Sequence, residues 1–428
     1  MERYFKLKEH GTNVRTEVMA GLTTFMTMAY ILAVNPGILS AAGMPAGAVF
    51  TATALSSLIA TLVMALSANL PIALAPGMGL NAFFAFTVVL GMGFSWELAL
   101  TAVFVEGIIF LLMSLFNIRE AIITSIPSSI KSAVSVGIGL FIAFIGLQNA
   151  GIIVDHKATL LTLGDVTRGA PLLALIGLVL TGTLLIFKVK GALLIGILAT
   201  AAIGIPMGVT KFPEGWSPVG IPDAPLLFRF QFDKLFTVDF VIVMFTFLFV
   251  DIFDTVGTLV GVARKAGLMD KHGEIPRVKQ ALIADAVGTV AGACLGTSTV
   301  TSYIESAAGV AEGGRTGLTS LVTAGLFSLA LFLSPVFLLV PGAATAPALV
   351  LVGLFMLTPI LDINLEDYSE SIPAFLTILF MPLSYSIAEG IVFGVMSFAL
   401  LKLCTGRAKD IPVVTWILSV FFVIKHLI

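Results

Sequence analysis

The chain has 428 residues, of which 58% are hydrophobic and 11% charged, and its formal net charge is −2. Soluble domains carry about 25% charged residues, so this composition excludes a soluble globular protein and predicts a polytopic protein embedded in a lipid bilayer. The small net charge and the lack of a basic stripe exclude nucleic acid as a partner.

The first half of the chain contains seven apolar runs that are separated by Pro, Gly and charged residues. Each run is interpreted as one membrane crossing. The third run is short, since a full crossing needs about 20 residues. The runs are 16–39, 47–68, 77–92, 95–116, 128–147, 171–187 and 191–207.

The second half follows a polar loop at 208–236 and again predicts seven crossings, of which the tenth overall is short. An odd number of crossings in each half means that the two halves have opposite orientations in the bilayer, as inverted repeats. One further apolar stretch, 411–427, is either an interfacial helix or a partial re-entry. The seven runs are 237–262, 276–295, 303–313, 315–338, 343–360, 371–385 and 387–403.

The orientation is predicted from the positions of Lys and Arg. With seven crossings in each half, the basic clusters all lie on the side of the N-terminus, which the positive-inside rule assigns to the cytoplasm. The polar N-terminus has no apolar core of the kind found in a cleavable signal. A multi-pass protein of the cell membrane with a cytoplasmic N-terminus is therefore expected. The acidic segment 361–370 is the exception on that side.

Two broken segments occupy matching places in the two halves. Residues 75–86 and 299–310 are both too short and too irregular to cross the bilayer as ordinary helices. Backbone that is not helical at this depth is tolerated only where protein or a cavity satisfies it, so such segments mark a transporter's binding site. Superposition of the two segments pairs Asn81 with Glu305. Two hairpin-like loops near the surface are the alternative.

Five carboxylates are predicted at bilayer depth, where each costs about 2.5 to 3.5 kcal/mol. No Lys, Arg or His is expected at a comparable depth. Buried carboxylates without cationic partners bind protons readily, so proton coupling is predicted, although Na⁺ is not excluded. The five residues are Glu106, Asp251, Asp254, Asp285 and Glu305.

The eighth run carries a polar stripe, formed by Asp251, Asp254, Thr255 and Thr258. Their spacing of i, i+3, i+4 and i+7 places them on one face of a helix, beside Phe249. We predict a ligand or proton role for Asp251. For Asp254 a proton-coupling role and a purely structural one are equally compatible with the sequence.

Glu305 is predicted to begin a short helix that follows Thr299 and Ser302. The carboxylates of Asp251 and Glu305 supply acceptors, and the Asn81 amide supplies both a donor and an acceptor. This set suits a planar molecule that is rich in N–H donors, with aromatic rings such as that of Phe249 against its faces. It suits an anion badly, because two carboxylates would repel it.

Three motifs give the chain a resemblance to a known family. FVDIFDTVGT at 249–258, LAPGMGLNAFF at 74–84 and the segment 281–318 around TSYIESAAG resemble the adenine/guanine/hypoxanthine permease branch of the nucleobase/cation symporter family, within the nucleobase-ascorbate transporter superfamily. The resemblance covers nearly the whole chain. It implies an all-α fold of 14 crossings, with short β-strands and half-helices in crossings 3 and 10.

The resemblance also implies a core domain of crossings 1–4 and 8–11 and a gate domain of crossings 5–7 and 12–14. Their predicted limits are 16–116 and 237–338 for the core, and 128–207 and 343–427 for the gate. Relatives of this kind often dimerise through the gate. The implied function is proton-coupled import of a purine base by movement of the core against the gate.

Residue roles follow from the same resemblance. Asp251, Glu305 and Asn81 match the substrate-binding positions of crossings 8, 10 and 3. Asp285 matches an acidic position of crossing 9, for which a structural or proton-coupling role is expected, as it is for Asp254 and Thr255. The sequence does not rank adenine, guanine and hypoxanthine as substrates.

The residues argue against two other functions. An anion carrier of sulfate type shares the architecture, but two acidic residues at mid-membrane argue against it. An intramembrane enzyme with paired aspartates would need a motif such as GxGD, which is absent. The two cysteines, Cys294 and Cys404, are too few for a metal site, so neither a cofactor nor an enzymatic activity is predicted.

Overall fold

The structure is a computed structural model that describes residues 2–116, 127–269 and 275–412, together with residues 415, 416 and 419. In this part of the chain, ten helices are long and apolar enough to cross a membrane, and three apolar helices are shorter. With one half-helix of six residues they make up 14 crossings. The predicted all-α polytopic fold is confirmed. Most of the stretch 411–427 lies outside the described residues.

The first repeat contains crossings 1 to 7. Crossing 1 is interrupted at Tyr30, between helices Val14–Met28 and Ile31–Ala41. Crossings 2 and 3 each end in a stretch of wider π-helix, Met64–Ala68 and Phe83–Gly91. The seven crossings are Val14–Ala41, Ala46–Ala68, Met78–Gly91, Trp96–Phe116, Ser128–Asn149, Gly169–Ile186 and Ala192–Gly204.

The second repeat follows a linker without regular secondary structure at 205–237. Crossing 8 is the longest of the described helices, and Gly267, with φ +65°, ends it in the left-handed conformation that glycine adopts easily. The seven crossings are Val238–Ala266, Val278–Leu295, Ser306–Ala311, Gly317–Leu338, Gly342–Asp362, Tyr368–Leu383 and Ile387–Cys404. A hairpin of strands β2 (Ile153–His156) and β3 (Leu160–Leu163) joins crossings 5 and 6.

The two repeats meet at a pair of short strands. Strand β1 (Leu74–Pro76) precedes crossing 3, strand β4 (Val300–Ser302) precedes crossing 10, and the two pair in antiparallel fashion. The pairing continues beyond the strands, because the Gly77 amide donates to the Thr299 carbonyl at 2.9 Å. Backbone groups that would otherwise lack partners inside the membrane are satisfied in this way.

The half-helices correct one pairing made from the sequence. They begin at Met78 and Ser306, so the residues that precede them are Gly77 and Glu305. Asn81 lies inside its half-helix, whereas Glu305 precedes the first residue of its own, so the two are not structural counterparts. The superposition of the sequences was wrong because small residues in the two segments allow several registers.

The crossings pack in two groups. Crossings 1 to 4 and 8 to 11 pack mainly against one another, and crossings 5 to 7 and 12 to 14 do the same. Gly139 and Gly353 bring crossings 5 and 12 into backbone contact, since a Cβ atom on Gly353 would lie 2.4 Å from the Gly139 carbonyl oxygen. These groups correspond to a core and a gate, and the residue limits given above for them stay predictions.

The acidic segment 361–370 lies against the basic end of crossing 14. Glu370 forms an ion pair with the buried Lys402 at 2.8 Å, and Asp367 forms one with Arg407 at 3.1 Å. The acidic residues thus neutralise a basic cluster at their own end of the molecule. This explains how an acidic segment can share one side of the protein with Lys and Arg.

Candidate functional site

A cavity lies between the core and crossing 12 of the gate. The starts of the two half-helices and strand β4 form its core wall, and crossing 12 forms the opposite wall. Its lining residues are Tyr30, Gly77, Met78, Gly79, Asp254, Thr258, Thr301, Ser302, Tyr303, Ile304, Glu305, Val352, Phe355 and Met356.

Glu305 is held on the cavity wall by a tyrosine. The Tyr30 hydroxyl donates to Glu305 Oε1 at 2.7 Å, from the break between the two helices of crossing 1. Thr27 of the same crossing donates to the Glu305 main-chain carbonyl at 3.4 Å. Crossing 1 thereby fixes both the side chain and the backbone of Glu305.

Two other groups from the core shape the cavity. Asp254 is half-buried and lines the cavity from crossing 8, one helical turn from Thr258. Tyr303 donates its hydroxyl to the Pro76 carbonyl at 2.6 Å, which joins strand β1 to the segment after β4. Three of the residues predicted from the sequence therefore line the cavity, namely Asp254, Ser302 and Glu305.

A second set of acidic residues lies behind strand β4, inside the core. Glu106, Asp251 and Asp285 come from crossings 4, 8 and 9, and all three are fully buried. The Thr255 hydroxyl donates to Asp285 Oδ1 at 2.8 Å and lies 3.5 Å from Asp251 Oδ1. None of the three carboxylates is part of the cavity lining.

The structure places the remaining predicted residues elsewhere. Thr299 donates to Glu106 Oε2 at 3.5 Å and therefore belongs to the acidic set in the core. Asn81 accepts a hydrogen bond from Ser298 and donates to the Pro76 carbonyl at 3.4 Å, so it links the two repeats. Phe249 is buried, and its ring lies 4.6 Å from that of Phe253. None of the three lines the cavity, and their roles in binding stay predictions.

Among the cavity residues that sequence reasoning missed are two tyrosines, Tyr30 and Tyr303. Both are buried aromatic residues, and they were counted with the apolar residues of their segments. Tyrosine carries a hydroxyl that needs a partner when buried, so a tyrosine inside a predicted crossing was the signal available.

The chemistry of the lining favours hydrogen-bond donors in a ligand. Among the described residues that line the cavity, two are acidic and none is Lys, Arg or His. The part of the chain that the structure describes also contains no group of three or more His, Cys, Asp or Glu residues arranged to hold a metal ion. A neutral or cationic molecule with N–H groups fits this site, and an anion does not.

Comparison with known proteins gives three further findings. A model of a permease family matches residues 15–393. The guanine/hypoxanthine permease PbuG of Bacillus subtilis is 46% identical over 99% of both chains. The adenine permease AdeP of Escherichia coli is 44% identical, over 99% of this chain and 95% of AdeP.

Solved structures give the fold. The transmembrane domain of the cyanobacterial bicarbonate transporter BicA superposes with a TM-score of 0.68, covering 90% of this chain and 97% of that domain. Its sequence identity is only 16%, so the likeness concerns the core and gate architecture alone.

Proposed function

The chain belongs to this permease family, within the nucleobase-ascorbate transporter superfamily, and from that premise we propose that it imports purine nucleobases together with protons. It is a membrane permease and not an enzyme. In the proposed cycle the core moves against the gate, so that the cavity opens alternately to the two sides of the cell membrane. The N-terminus would lie in the cytoplasm, and dimerisation through the gate stays a prediction.

The observation that carries this proposal is the acidic cavity with Glu305 fixed by Tyr30. A purine base presents ring and exocyclic N–H groups at its edge, and Glu305 and Asp254 supply acceptors for them. Tyr30 holds one oxygen of the Glu305 carboxylate, which limits the directions in which the carboxylate can accept. The names of the relatives PbuG and AdeP agree with this class of substrate.

Transport of an anion is the second candidate, supported only by the shared fold. Two carboxylates in a cavity with no cationic side chain among its described lining would repel a bicarbonate or sulfate ion. Glu305 is also held by a hydrogen-bond donor and not by a cation, so its charge is not cancelled locally.

Uptake into proteoliposomes tests the proposal. Purified protein is reconstituted, and uptake of labelled adenine, guanine and hypoxanthine is compared with that of labelled bicarbonate and sulfate, with an imposed pH gradient and with an uncoupler. We expect accumulation of at least one base, driven by an acidic exterior and abolished by the uncoupler. Accumulation of an anion would contradict the substrate class, and a requirement for Na⁺ without a pH gradient would contradict proton coupling.

Tyr30→Phe is expected to weaken base binding roughly 10- to 150-fold. The change removes the hydroxyl that donates to Glu305 Oε1, and a hydrogen bond to a charged group contributes about 1.5 to 3 kcal/mol. The dissociation constant is measured on detergent-purified protein. Tyr368→Phe is the control, because that side chain is 73% exposed. Unchanged affinity in Tyr30→Phe would show that Glu305 does not need Tyr30 to bind the base.

Asn81→Ala is expected to lower the thermal stability and to weaken base binding without abolishing expression. It removes the acceptor of the Ser298 hydroxyl and so loosens the half-helix that forms one cavity wall, at a cost of about 1 to 3 kcal/mol. Asn149→Ala, at the exposed end of crossing 5, is the control. If Asn81→Ala left both the melting temperature and the affinity unchanged, the link between the repeats would be unimportant.

A further inference from the structure

The acidic set behind strand β4 contains two carboxyl groups close to each other. Glu106 of crossing 4 and Asp251 of crossing 8 are both fully buried, with Thr299 against the one and Thr255 against the other, and their side chains lie within hydrogen-bonding reach of each other. Two ionised carboxylates have only acceptors, so a hydrogen bond between them exists only while one of the two carries a proton. A contact of this kind is a place where a folded protein can hold a proton.

The other contacts of the pair agree with a bound proton. Glu106 Oε1 and Asp251 Oδ2 are fully buried, and no protein donor among the described residues reaches either atom. A buried acceptor that lacks a donor is costly, and so is an unpaired buried charge. One shared proton removes a negative charge and supplies the missing donor at the same time.

The charged groups around the pair are mostly acidic. Crossing 9 contributes Asp285, which is buried beside Thr255. Toward the cavity, crossing 8 also carries Asp254, and Glu305 follows strand β4. Of the described cations, Lys131 of the gate lies over the Phe253 ring of crossing 8 at 5.6 Å from its centroid, and Arg264 and Lys265 lie in the last turn of crossing 8.

The two tyrosines of the cavity, Tyr30 and Tyr303, are the other titratable groups on that side, and both are neutral donors at physiological pH. Within the described residues, neither Glu106 nor Asp251 forms an ion pair. The charged groups named beside the pair, Asp285, Asp254 and Glu305, are carboxylates, and like charges nearby favour the binding of a proton.

Strand β4 separates the pair from the cavity and touches both. Thr301 and Ser302 line the cavity with one part of their surface. On the other side, the Thr301 hydroxyl lies 2.8 Å from that of Thr255, and the Ser302 hydroxyl donates to Asp285 Oδ1 at 3.3 Å. A change in charge behind the strand therefore reaches the cavity wall through two hydroxyl contacts.

We propose that Glu106 and Asp251 form the binding site of the coupling proton, separate from the base-binding cavity and joined to it by strand β4. This inference rests on the proposed function, because a bound proton can drive uptake only if the protein is a proton-coupled transporter. The proton enters from water and binds to one carboxyl oxygen, and the resulting O–H group donates a hydrogen bond to the other carboxylate. The proton then leaves to water on the opposite side of the membrane. No covalent bond other than this O–H bond forms or breaks. In this assignment Asp251 binds the proton, and Glu305 and Asp254 bind the base.

The test separates base binding from proton binding. Glu106→Gln keeps a donor toward Asp251 but cannot release a proton, so we expect it to bind base within about threefold of the wild-type affinity. Accumulation in proteoliposomes against a base gradient should fall at least 10-fold and lose its dependence on external pH. Glu97→Gln, on the same helix, is the control and should behave as the wild type. A Glu106→Gln protein that accumulates base with the normal pH profile would overturn the proposal.

A second measurement needs no substrate. Infrared difference spectra between high and low pH should contain the carbonyl band of one protonated carboxylic acid that is absent from both Glu106→Gln and Asp251→Asn. Loss of this band in only one variant, or in neither, would contradict a shared proton. If the wild type failed to transport any base while the band behaved as expected, the proposed function would be wrong and the proton site would stand. If Glu106→Gln did not fold, Asp251→Asn would carry both measurements.

Discussion

Glu305→Gln is expected to lower the affinity for purine bases roughly 10- to 150-fold and to abolish uptake at low base concentrations. The change keeps the shape of the side chain and keeps an oxygen that can accept from Tyr30. It removes the negative charge and replaces one acceptor with a donor, which opposes the N–H groups of the base. A charge-assisted hydrogen bond contributes about 1.5 to 3 kcal/mol, which sets this range.

The same variant distinguishes the two acidic sites. If the coupling proton binds at Glu106 and Asp251, Glu305→Gln should retain the pH dependence of whatever transport remains at saturating base. The measurements are the dissociation constant and the pH profile of uptake at high base concentration. Glu366→Gln, in an exposed loop, is the matched control. Loss of pH dependence with normal affinity would assign the proton to Glu305. It would contradict the proposal that Glu106 and Asp251 bind the proton while Glu305 binds the base.

The sequence was sufficient to predict the 14 crossings, because apolar runs of bilayer length are a strong signal and Pro, Gly and charged residues end them. Even crossing 10 was recognisable, since β-branched residues precede small ones from Thr299 onward. The bounds differ from the observed helices by a few residues, as expected where helix ends depend on caps such as Gly267.

The sequence could not predict that the acidic residues fall into two sets, one in the cavity and one inside the core. Asp251 and Asp254 lie three residues apart, so their directions differ by about 60° around the helix, and one stripe can face two different neighbours. Which neighbour each one faces depends on where crossings 4 and 9 pack. Asp254 lies in the cavity, and Asp251 lies in the interior of the core. The periodicity of crossing 8 cannot distinguish these two environments.

Tyr30 shows a second limit. It was counted as one more apolar residue of crossing 1, and only the fold shows that its hydroxyl meets Glu305, 275 residues away along the chain. Contacts of this kind join the first helix of one repeat to the half-helix of the other. No local sequence pattern predicts them, because each hydrogen-bonding group finds its partner in a segment that is distant along the chain.

Tyr385→Ala is expected to shift the protein toward a state whose cavity opens at the end of the molecule farther from the N-terminus. Tyr385 lies in the turn between crossings 13 and 14, with its ring 5.8 Å from that of Phe86 in crossing 3 and 5.3 Å from that of Phe141 in crossing 5. The Thr87 hydroxyl also donates to the Tyr385 carbonyl at 3.1 Å. Core and gate are thus joined at this turn.

The joint lies just beyond the cavity. Phe141 is one helical turn from Ile138, whose side chain packs against Gly79 of the cavity lining. Removing the ring of Tyr385 eliminates one aromatic pair between core and gate together with the burial of the ring, a loss of about 2 to 4 kcal/mol. A loss of this size changes the ratio of closed to open states roughly 30- to 1,000-fold.

Labelling of a cysteine in the cavity measures this shift. Met78→Cys is introduced into a protein in which Cys294 and Cys404 are replaced by Ser, and a thiol reagent that cannot cross membranes is added from outside to intact cells. We expect much faster labelling with Tyr385→Ala than with Tyr385, and no change with Tyr385→Phe, which keeps the ring. Tyr368→Ala controls for loss of an exposed tyrosine. Equal labelling of Tyr385→Ala and Tyr385→Phe would show that the ring does not hold core and gate together, because only the ring distinguishes these two variants at the joint.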